Sequence, residues 1–448
     1  VPGQARIYVC GPTVYNFIHI GNARPLCVFD TLRRYLTYRG LKVTYVSNVT
    51  DIDDKLISAA NEQGTTVKAI AERYEKEYLH DADGLNVQRP DVIPRATEHI
   101  GEIIALITEI IDNGYGYVAK NGDVYFRALK FKDYGKLSHL VLDELESGRE
   151  LSTSLEGGLK EDGADFAVWK SAKPGEPAWE SPWGPGRPGW HIECSAMAKK
   201  HLGNTFDIHA GGQDLIFPHH ENEIAQSECA SGQTFARYWM HNGFLNIDSQ
   251  KMSKSLGNFR TVRQVSDEVG YEPIRCFMLS AHYRSPVNFT RESMDQAKTS
   301  LERLYTCRDN LAFAISNAAE NGDTLLAQRA QEAEQRFQER MDDDLNTADA
   351  LAAVFDLVRE INTLLKETSK SALEETAEVF DRLCEVLGLL YNRQADEQVP
   401  PEVNALVEER TAARAAKNWA RADEIRTELD ALGYVVEDTA AGPKVGRK

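Results

Sequence analysis

The sequence predicts an α/β fold: a doubly wound parallel sheet that contains an insertion, followed by an α-helical bundle and a small C-terminal domain. Three observations indicate this order: a strand–helix–strand pattern at the start, a change of texture over residues 115–188 with five prolines and three glycines in 173–188, and leucines at helical spacing over residues 293–393. The 448 residues suffice for about three domains. The expected boundaries are 1–114 and 189–245 for the halves of the sheet domain, 115–188 for the insertion, 246–292 for a connecting fold, 293–393 for the bundle and 402–448 for the last domain.

The strand–helix–strand pattern begins with the apolar residues 7–9 and returns to a second predicted strand at residues 43–46. The helix between them carries Pro25 in its first turn, where the missing N–H costs nothing. His19 and Asn22 lie in the turn before this helix, a position suited to binding anions. Because the turn lacks the pattern G-x-G-x-x-G, we expect it to hold a phosphate differently from dinucleotide-binding proteins.

The end of the second strand carries polar residues with two equally weighted interpretations. Thr50 and Asp51 follow the strand, at the edge of a doubly wound sheet where ligands bind. Either residue is also a fair N-cap for a helix that begins near Asp53. The pattern alone leaves ligand contact and helix capping open.

The composition is that of an ordinary soluble protein, with 42% hydrophobic and 27% charged residues. No apolar run approaches the roughly 20 residues that span a membrane, so no membrane partner is expected. Seven widely scattered cysteines, an odd number, argue against a disulfide framework and predict a reducing, cytoplasmic location.

The net charge of −18 argues against nonspecific nucleic-acid binding. The charge is uneven, however, because residues 403–448 hold eight Lys or Arg and eight Asp or Glu. A local basic face therefore remains compatible with the overall charge.

Residue types that bind metals recur along the sheet domain. His219 and Glu223 are four apart and share one helix face, while Cys10 ends the first strand and Cys194 is expected to open another helix. Four such groups could form a tetrahedral zinc site. Since no paired C-x-x-C spacing is present, the residues alone favour buried structural cysteines and a capping histidine.

A loop with two lysines gives a sharper signal. Lys251 and Lys254 are three apart, among serines and a glycine. Two mobile ammonium groups beside hydroxyl donors suit a polyphosphate whose charge grows in the transition state. The alternative is a solvated surface loop without a ligand. We consider this alternative weaker, because the chain also contains the turn with His19 and Asn22, which suits phosphate binding.

The His19 turn and the lysine loop together resemble the motifs of a known family. The sequence His19-Ile20-Gly21-Asn22 resembles the HIGH motif, and residues 251–255 are identical to the KMSKS motif, of class I aminoacyl-tRNA synthetases. Residues 10–15, 48–55, 189–195 and 217–223 resemble the cysteinyl-tRNA synthetase family in particular. The resemblance covers nearly the whole chain and departs from the HIGH motif at Asn22, where an amide replaces the second histidine.

The resemblance implies an ATP-dependent ligase that forms cysteinyl-adenylate from L-cysteine and ATP, with Mg²⁺, and passes cysteine to tRNA(Cys). It implies catalytic roles for His19, Asn22, Lys251 and Lys254, and nucleotide binding by Gly11, Thr13, His19, Gly21, Asn22 and Lys254. It implies a cysteine pocket of Thr50, Trp190, His209 and Asp214, and one zinc ion per chain on Cys10, Cys194, His219 and Glu223.

A physical argument supports the implied zinc. Cysteine and serine differ by one atom, and shape alone separates such near-isosteres poorly. A metal lowers the pKa of a bound thiol and prefers the soft thiolate to a hydroxyl. The family can thus dispense with an editing domain, and no segment of this chain is large enough to be one.

The C-terminal segment holds basic residues spaced four, three and four. Arg410, Arg414, Lys417 and Arg421 are expected on one helical face, with Trp419 nearby. A solvated face balanced by glutamates is the alternative, but beside a synthetase core we favour contact with tRNA, through phosphates and stacked bases. We expect a monomer.

Two rival functions remain at this point. A cysteine–amino-sugar ligase of mycothiol biosynthesis uses the same adenylate chemistry without tRNA, and the bundle with the last domain argues against it. A catalytically inert RNA-binding relative would not need the lysine loop and the metal-ligand set.

Overall fold

The computed structural model describes residues 2–139, 158–247, 250–251, 259–392, 400–439 and 442–447. The chain divides into two compact units. The first comprises Val1–Lys298, Asp344–Ala348 and Val386–Gly388; the second comprises Thr299–Asp343, Asp349–Glu385 and Leu389–Lys448. Among the described residues, no helix combines the length and apolar character needed to cross a membrane.

The strands of the first unit are β1 (Gln4–Val9), β2 (Lys42–Ser47), β3 (Gly116–Val118), β4 (Val124–Phe126), β5 (Phe166–Ser171), β6 (Gly186–Pro188), β7 (Phe206–Gly212), β8 (Ala236–Asn242), β9 (Leu245–Ile247), β10 (Gln250–Lys251) and β11 (Val287–Phe289). Its helices are α1 (Ala23–Tyr38), α2 (Asp54–Glu62), α3 (Val67–Gly84), α4 (Ile100–Asp112), α5 (Trp190–Leu202), α6 (Glu221–Ser231), α7 (Val262–Val269) and α8 (Tyr271–Leu279).

The predicted α/β fold with a parallel sheet is confirmed. The four strands run in the order β2-β1-β7-β8, and every neighbouring pair is parallel. In the central strand, Ile7 lies opposite Tyr45 on one side and Ile208 on the other. Because parallel strands end at one edge, the residues after β1, β2, β7 and β8 converge there.

The helix α1 follows a short 3₁₀ turn, Ile20–Asn22, and its buried face includes Cys27, Phe29 and Leu32. The position of this helix places the turn with His19 and Asn22 at the sheet edge.

The capping expectation for Thr50 and Asp51 is wrong, because the N-cap of α2 is Asp53, whose carboxylate accepts from the Lys55 N–H at 2.9 Å. Both earlier residues are turned inward to other partners. Asp51 accepts from the Thr97 N–H at 3.0 Å, and the Thr50 hydroxyl is buried elsewhere.

Residues between the two halves of the parallel sheet form an antiparallel sheet of order β3-β4-β5-β6. It packs on α4, whose Ile103, Ile107 and Ile110 are fully buried in one core with Phe126 and Trp169. The isoleucine face of α4 therefore packs against this sheet.

The strands β9, β10 and β11 form a separate sheet of order β10-β9-β11, accompanied by α7 and α8. The backbone of this region is bonded to the turn before α1. The Ile20 N–H donates to the Arg260 carbonyl at 2.9 Å, and the Val262 N–H donates to the Ile18 carbonyl at 3.0 Å.

The remaining elements are α9 (Arg291–Asn317), α10 (Leu325–Asp342), α11 (Thr347–Leu364), α12 (Lys370–Leu387), α13 (Pro401–Ala415), α14 (Trp419–Ala431), β12 (Tyr434–Thr439) and β13 (Gly442–Arg447). The four long helices agree with the predicted helical region. The last four elements share a small core that includes Val407, Ile425, Leu429 and Tyr434.

The expectation that the C-terminal basic residues lie on one helical face is wrong. The helix breaks between α13 and α14, where Lys417 has φ = 58° and the Asn418 side chain accepts from the Arg421 N–H. No glycine or proline marks this break, so the basic spacing is interrupted by a capping asparagine instead.

Candidate active site and metal centre

A cleft of about 390 Å³ opens at the carboxyl edge of the parallel sheet. The residues that line it come from the ends of all four strands and from the start of α1. They include Cys10, Gly11, Thr13, His19, Gly21, Asn22, Lys55, Trp190, Asp214, Asn242 and Phe244. Most of the residues predicted from the sequence to bind nucleotide or cysteine therefore face one cavity.

The turn before α1 is held by its own side chain. Asn22 Oδ1 accepts from the His19 N–H at 3.1 Å, and the Asn22 N–H donates to the His19 carbonyl at 2.8 Å. An amide oxygen can make the first bond, which keeps the turn closed. The Asn22 amide nitrogen is then the donor suited to a phosphate.

Gly11 allows the first strand to pass close to the second. A Cβ at this position would lie 1.7 Å from the Asn48 carbonyl oxygen. The Gly11 N–H instead donates to Asn48 Oδ1 at 2.9 Å, and Thr13 pairs with Thr50 through the backbone. The floor of the cleft is thus fixed by the Asn48 side chain and by the backbone pairing of Thr13 with Thr50.

The four residues predicted for the cysteine pocket divide into two pairs. Trp190 and Asp214 line the cleft, and Trp190 is 41% exposed. Thr50 and His209 are buried behind its wall, where the Thr50 hydroxyl donates to Glu193 Oε2 at 3.1 Å. The structure brings only the first pair to the cavity surface.

The predicted metal ligands come together. One ligand atom from each of Cys10, Cys194, His219 and Glu223 lies within 4.8 Å of all the others. Cys10 Sγ is 3.7 Å from Cys194 Sγ and 3.6 Å from Glu223 Oε1, and His219 Nε2 is 3.1 Å from the same oxygen. Cys10 also lines the cleft, so the cluster lies at the cavity wall.

A second set of atoms shares two of these ligands. Cys10, His209, His220 and Glu223 also lie within 4.8 Å of one another. His220 Nε2 is 3.4 Å from Cys10 Sγ, and His209 Nε2 is 2.8 Å from Glu223 Oε2. The first set contains two cysteine sulfurs and the second set contains one. Because zinc commonly binds two thiolates together with a histidine, the first set is the better zinc site.

The electrostatics of the cluster fit cation binding. Hydrogen bonds from Cys10 and His219 lower the pKa of the Cys194 thiol to about 6 against the effect of burial. Burial opposes protonation of His219, but the Glu223 carboxylate raises its pKa to about 10. Protons held among these ligands are the ones that a bound metal ion displaces.

Several residues in and around the cleft were missed by the sequence argument. The cavity is also lined by Lys55 and by residues 242–245. Beside the metal ligands, His191 Nδ1 contacts His219 Nδ1 at 2.8 Å. Residues 242–245 follow β8, the last strand of the parallel sheet, and a position at the end of a parallel strand could have indicated that they line the cleft. No local pattern marks His191.

The lysine loop is only partly described. Lys251 ends β10, and its backbone pairs with Asn246 of β9. Lys254 lies outside the described residues, so its role stays a prediction.

The C-terminal basic residues differ in their partners. Arg410 is 4% exposed and bonds to both oxygens of Asp438, at 2.7 and 2.8 Å. Arg421 is held by three glutamates, Glu409, Glu424 and Glu428.

Three other residues of that unit reach the surface, although the Arg414 guanidinium also pairs with Asp438 Oδ2 at 3.2 Å. Arg414 lies 5.6 Å from the ring centroid of Trp419, which is 56% exposed. Lys417 is exposed in the turn between them. Of the five residues predicted to contact tRNA, Arg414, Lys417 and Trp419 are therefore the better candidates, because Arg410 and Arg421 are held by carboxylates.

Three family models match the chain. They are the tRNA synthetases class I (C) catalytic domain over residues 1–299, the DALR domain over 336–391 and the cysteinyl-tRNA ligase anticodon binding domain over 396–443. Together they cover most of the sequence.

Two curated relatives are similar over nearly their whole length, and both are named Cysteine–tRNA ligase. The protein of Caldicellulosiruptor saccharolyticus is 56% identical over 99% of this chain and 96% of its own. The protein of Brevibacillus brevis is 52% identical over 100% of this chain and 96% of its own.

Solved structures share the fold at low identity. Mycobacterium tuberculosis methionyl-tRNA synthetase with methionyl-adenylate has a TM-score of 0.62 at 17% identity, covering 86% of this chain and 90% of that one. A ternary complex of Agrobacterium radiobacter K84 agnB2 LeuRS, tRNA and LeuAMS has a TM-score of 0.64 at 12% identity, covering 87% and 84%.

Proposed function

The chain belongs to the cysteine–tRNA ligase family, and we propose that its cleft activates L-cysteine with ATP and transfers it to the terminal ribose of tRNA(Cys). The observation that carries the proposal is the convergence of Cys10, Cys194, His219 and Glu223 at the wall of the cavity that holds the His19 turn. A cysteine-selective metal centre and a phosphate-binding turn then serve the same small space.

In the first step the cysteine carboxylate attacks the α-phosphate of ATP, which forms cysteinyl-adenylate and releases pyrophosphate. The carboxylate is already ionised, so no general base is required. His19 and Asn22 bind the phosphates at the start of α1, and Lys251 and Lys254 neutralise the charge that develops on pyrophosphate. Magnesium accompanies the nucleotide.

The residues of the metal cluster fit zinc, because they combine two thiols, an imidazole and a carboxylate within 4.8 Å. When bound, zinc supplies a soft Lewis acid that prefers a substrate thiolate to a hydroxyl. Trp190 lies beside His219, with ring centroids 4.5 Å apart and the rings tilted by 44°, where it would cover the side chain of the bound cysteine. Asp214 faces the same cavity and suits the substrate ammonium group.

In the second step the ribose hydroxyl of tRNA attacks the activated carbonyl of cysteinyl-adenylate, loses its proton and displaces AMP, which leaves cysteine esterified to the ribose. The anticodon-binding family model over residues 396–443 supports a second contact far from the cleft in sequence, for which Arg414, Lys417 and Trp419 are the candidate residues. None of the seven cysteines is in a disulfide bond, which supports the cytoplasm as the location. The monomeric state stays a prediction that sedimentation would test.

The rival functions receive less support. Identity above 50% to two Cysteine–tRNA ligases over nearly the whole chain favours this function over a cysteine–amino-sugar ligase. The complete metal-ligand set favours a working enzyme over an inert RNA-binding relative.

The deciding experiment measures cysteine-dependent exchange of pyrophosphate into ATP, followed by charging of total tRNA with labelled cysteine. We expect both reactions, one zinc per chain and strong rejection of serine. Cys194→Ser should lose zinc and raise the KM for cysteine severely, while Cys276→Ser, a buried cysteine outside the cluster, should change neither. Exchange without tRNA charging would favour the amino-sugar ligase, and a zinc-free chain that still rejected serine would refute the role of the cluster.

A further inference from the structure

Arg24 is a fully buried arginine in the first turn of α1, two residues after Asn22. Its guanidinium donates to main-chain carbonyls of two loops. Nη1 is 3.2 Å from the carbonyl oxygen of Phe244, and Nη2 is 3.1, 3.3 and 2.6 Å from those of His282, Tyr283 and Ser285.

This cation has an unusual environment. Within the described part of the chain, no carboxylate pairs with Arg24, and burial lowers its pKa to about 10, so it stays protonated at neutral pH. A buried charge without a counter-ion is costly unless dipoles solvate it. The carbonyls of the two loops are the dipoles that do so, which ties their positions to the guanidinium.

The two loops are also joined to each other. The Gly243 N–H donates to the Tyr283 carbonyl at 2.7 Å, and the Val287 N–H donates to the Phe244 carbonyl at 2.9 Å. A Cβ on Gly243 would lie 2.6 Å from the Arg284 carbonyl oxygen, so only glycine permits this approach. The loops form one unit, and Arg24 connects that unit to α1.

The unit leads into the lysine-bearing hairpin. Phe244 lines the cleft and is followed directly by β9, which pairs with β10 and so with the backbone of Lys251. On the other side, α1 begins directly after the turn that carries His19 and Asn22. Arg24 thus connects the start of α1, directly after the His19 turn, to the loop that leads into β9 and its partner strand with Lys251.

We propose that Arg24 is a positioning residue for adenylate formation, which fixes the root of the β9–β10 hairpin relative to the His19 turn. The inference rests on the proposed function, because the reaction that it serves is activation of cysteine by ATP. A displacement of about 1 Å at a reacting centre can cost on the order of 10²-fold in rate. Lysine cannot replace the forked guanidinium, since a single ammonium does not span both loops.

The test compares Arg24→Met and Arg24→Lys with Arg275→Met in cysteine-dependent pyrophosphate exchange. Arg275 is the matched control, because it is also fully buried and donates to Asp30 and to the carbonyls of Leu85 and Leu387. We expect kcat to fall on the order of 10²-fold in Arg24→Met and about 10-fold in Arg24→Lys. Zinc content and the KM for cysteine should not change, and Arg275→Met should lower the melting temperature but keep kcat.

Each outcome is decisive. If Arg24→Met fails to fold, the kcat of Arg24→Lys tests the inference, because this variant keeps the charge and most of the volume of the side chain. An Arg24→Lys variant with the kcat of the unsubstituted chain would overturn the inference alone, as would an equal loss of kcat in Arg275→Met. Absence of exchange in the unsubstituted chain would overturn the proposed function and this inference together.

Discussion

His209 Nε2 lies 2.8 Å from Glu223 Oε2, and both side chains are fully buried. The other oxygen of Glu223 faces Cys10 and His219. The His209 ring is itself packed 4.6 Å from the ring of Trp239. A carboxylate held in this way is presented to a metal in one orientation, which is the usual task of a histidine behind a ligand.

We therefore expect His209→Gln to weaken zinc binding by about 10- to 100-fold, the range for loss of an outer-shell partner. The measurement is competition with a chromophoric chelator. His99→Gln, which removes a histidine bonded to the Arg95 carbonyl and to His201, should leave the affinity unchanged. If His209→Gln kept its zinc affinity and raised only the KM for cysteine, the direct pocket role expected from the sequence would be correct.

The metal cluster shows how far a sequence can predict a site. His219 and Glu223 share a helix face, which their spacing of four gives directly. Cys10 and Cys194 join them only because β1 lies next to β7 in the sheet and α5 packs against α6. Strand order is a property of the whole fold, so the residues alone left the cysteines as structural, and the family resemblance was needed to group them.

The placement of His209 shows a second limit. Both faces of a parallel sheet are covered, so a strand residue is buried whichever face it occupies, and the apolar pattern does not say which. In the structure, His209 contacts Glu223 behind the wall of the cleft and does not line the cavity. The sequence pattern alone could not distinguish this position from one in the pocket. The break at Lys417 is comparable, because an asparagine cap without glycine or proline gives a weak signal for a helix end.

Lys254→Ala should lower the rate of adenylate formation by on the order of 10²-fold or more, because it removes a donor used mainly in the transition state. Cysteine affinity should change little. Pyrophosphate exchange gives the rate, and equilibrium dialysis gives the affinity. Lys68→Ala is the control, since this exposed lysine pairs with Glu72 on the surface of α3. Normal exchange with lost cysteine binding would assign Lys254 to another step.

A pair of histidines outside the cleft predicts a pH effect on stability. His99 Nε2 and His201 Nε2 are 2.9 Å apart, which is hydrogen-bond distance. Burial and the neighbouring His99 and Lys200 lower the pKa of His201 below its ordinary value of 6.5, against the opposing charge of Glu102. Between the folded and the ordinary pKa the unfolded chain binds more protons, so the free energy of unfolding falls as the pH drops below about 6.5.

His201→Gln should flatten this part of the stability curve, measured by urea unfolding at several pH values. His80→Gln, which changes an exposed histidine on α3, should keep the slope of the unsubstituted chain. An unchanged slope in His201→Gln would show that the loss of stability at low pH comes from other groups.

The exposed Trp419 and its neighbour Arg414 form a stacked pair on the C-terminal unit. A flat aromatic face beside basic groups suits an unpaired base and its phosphates, and one stacked base contributes about 1–3 kcal/mol. Trp419→Ala should therefore lower kcat/KM for tRNA by roughly 5- to 150-fold, while pyrophosphate exchange stays normal. Lys417→Glu should weaken tRNA binding and reduce its salt dependence.

Truncation after residue 393 should reproduce both effects together, with cysteine activation nearly intact. Arg421→Gln is the comparison variant, because three glutamates already hold that guanidinium, and it should affect tRNA charging least. Charging efficiency is measured with purified tRNA at several salt concentrations. Normal charging by Trp419→Ala and by the truncated chain would exclude this unit from tRNA recognition, because neither the stacking face nor its basic neighbours would then be required.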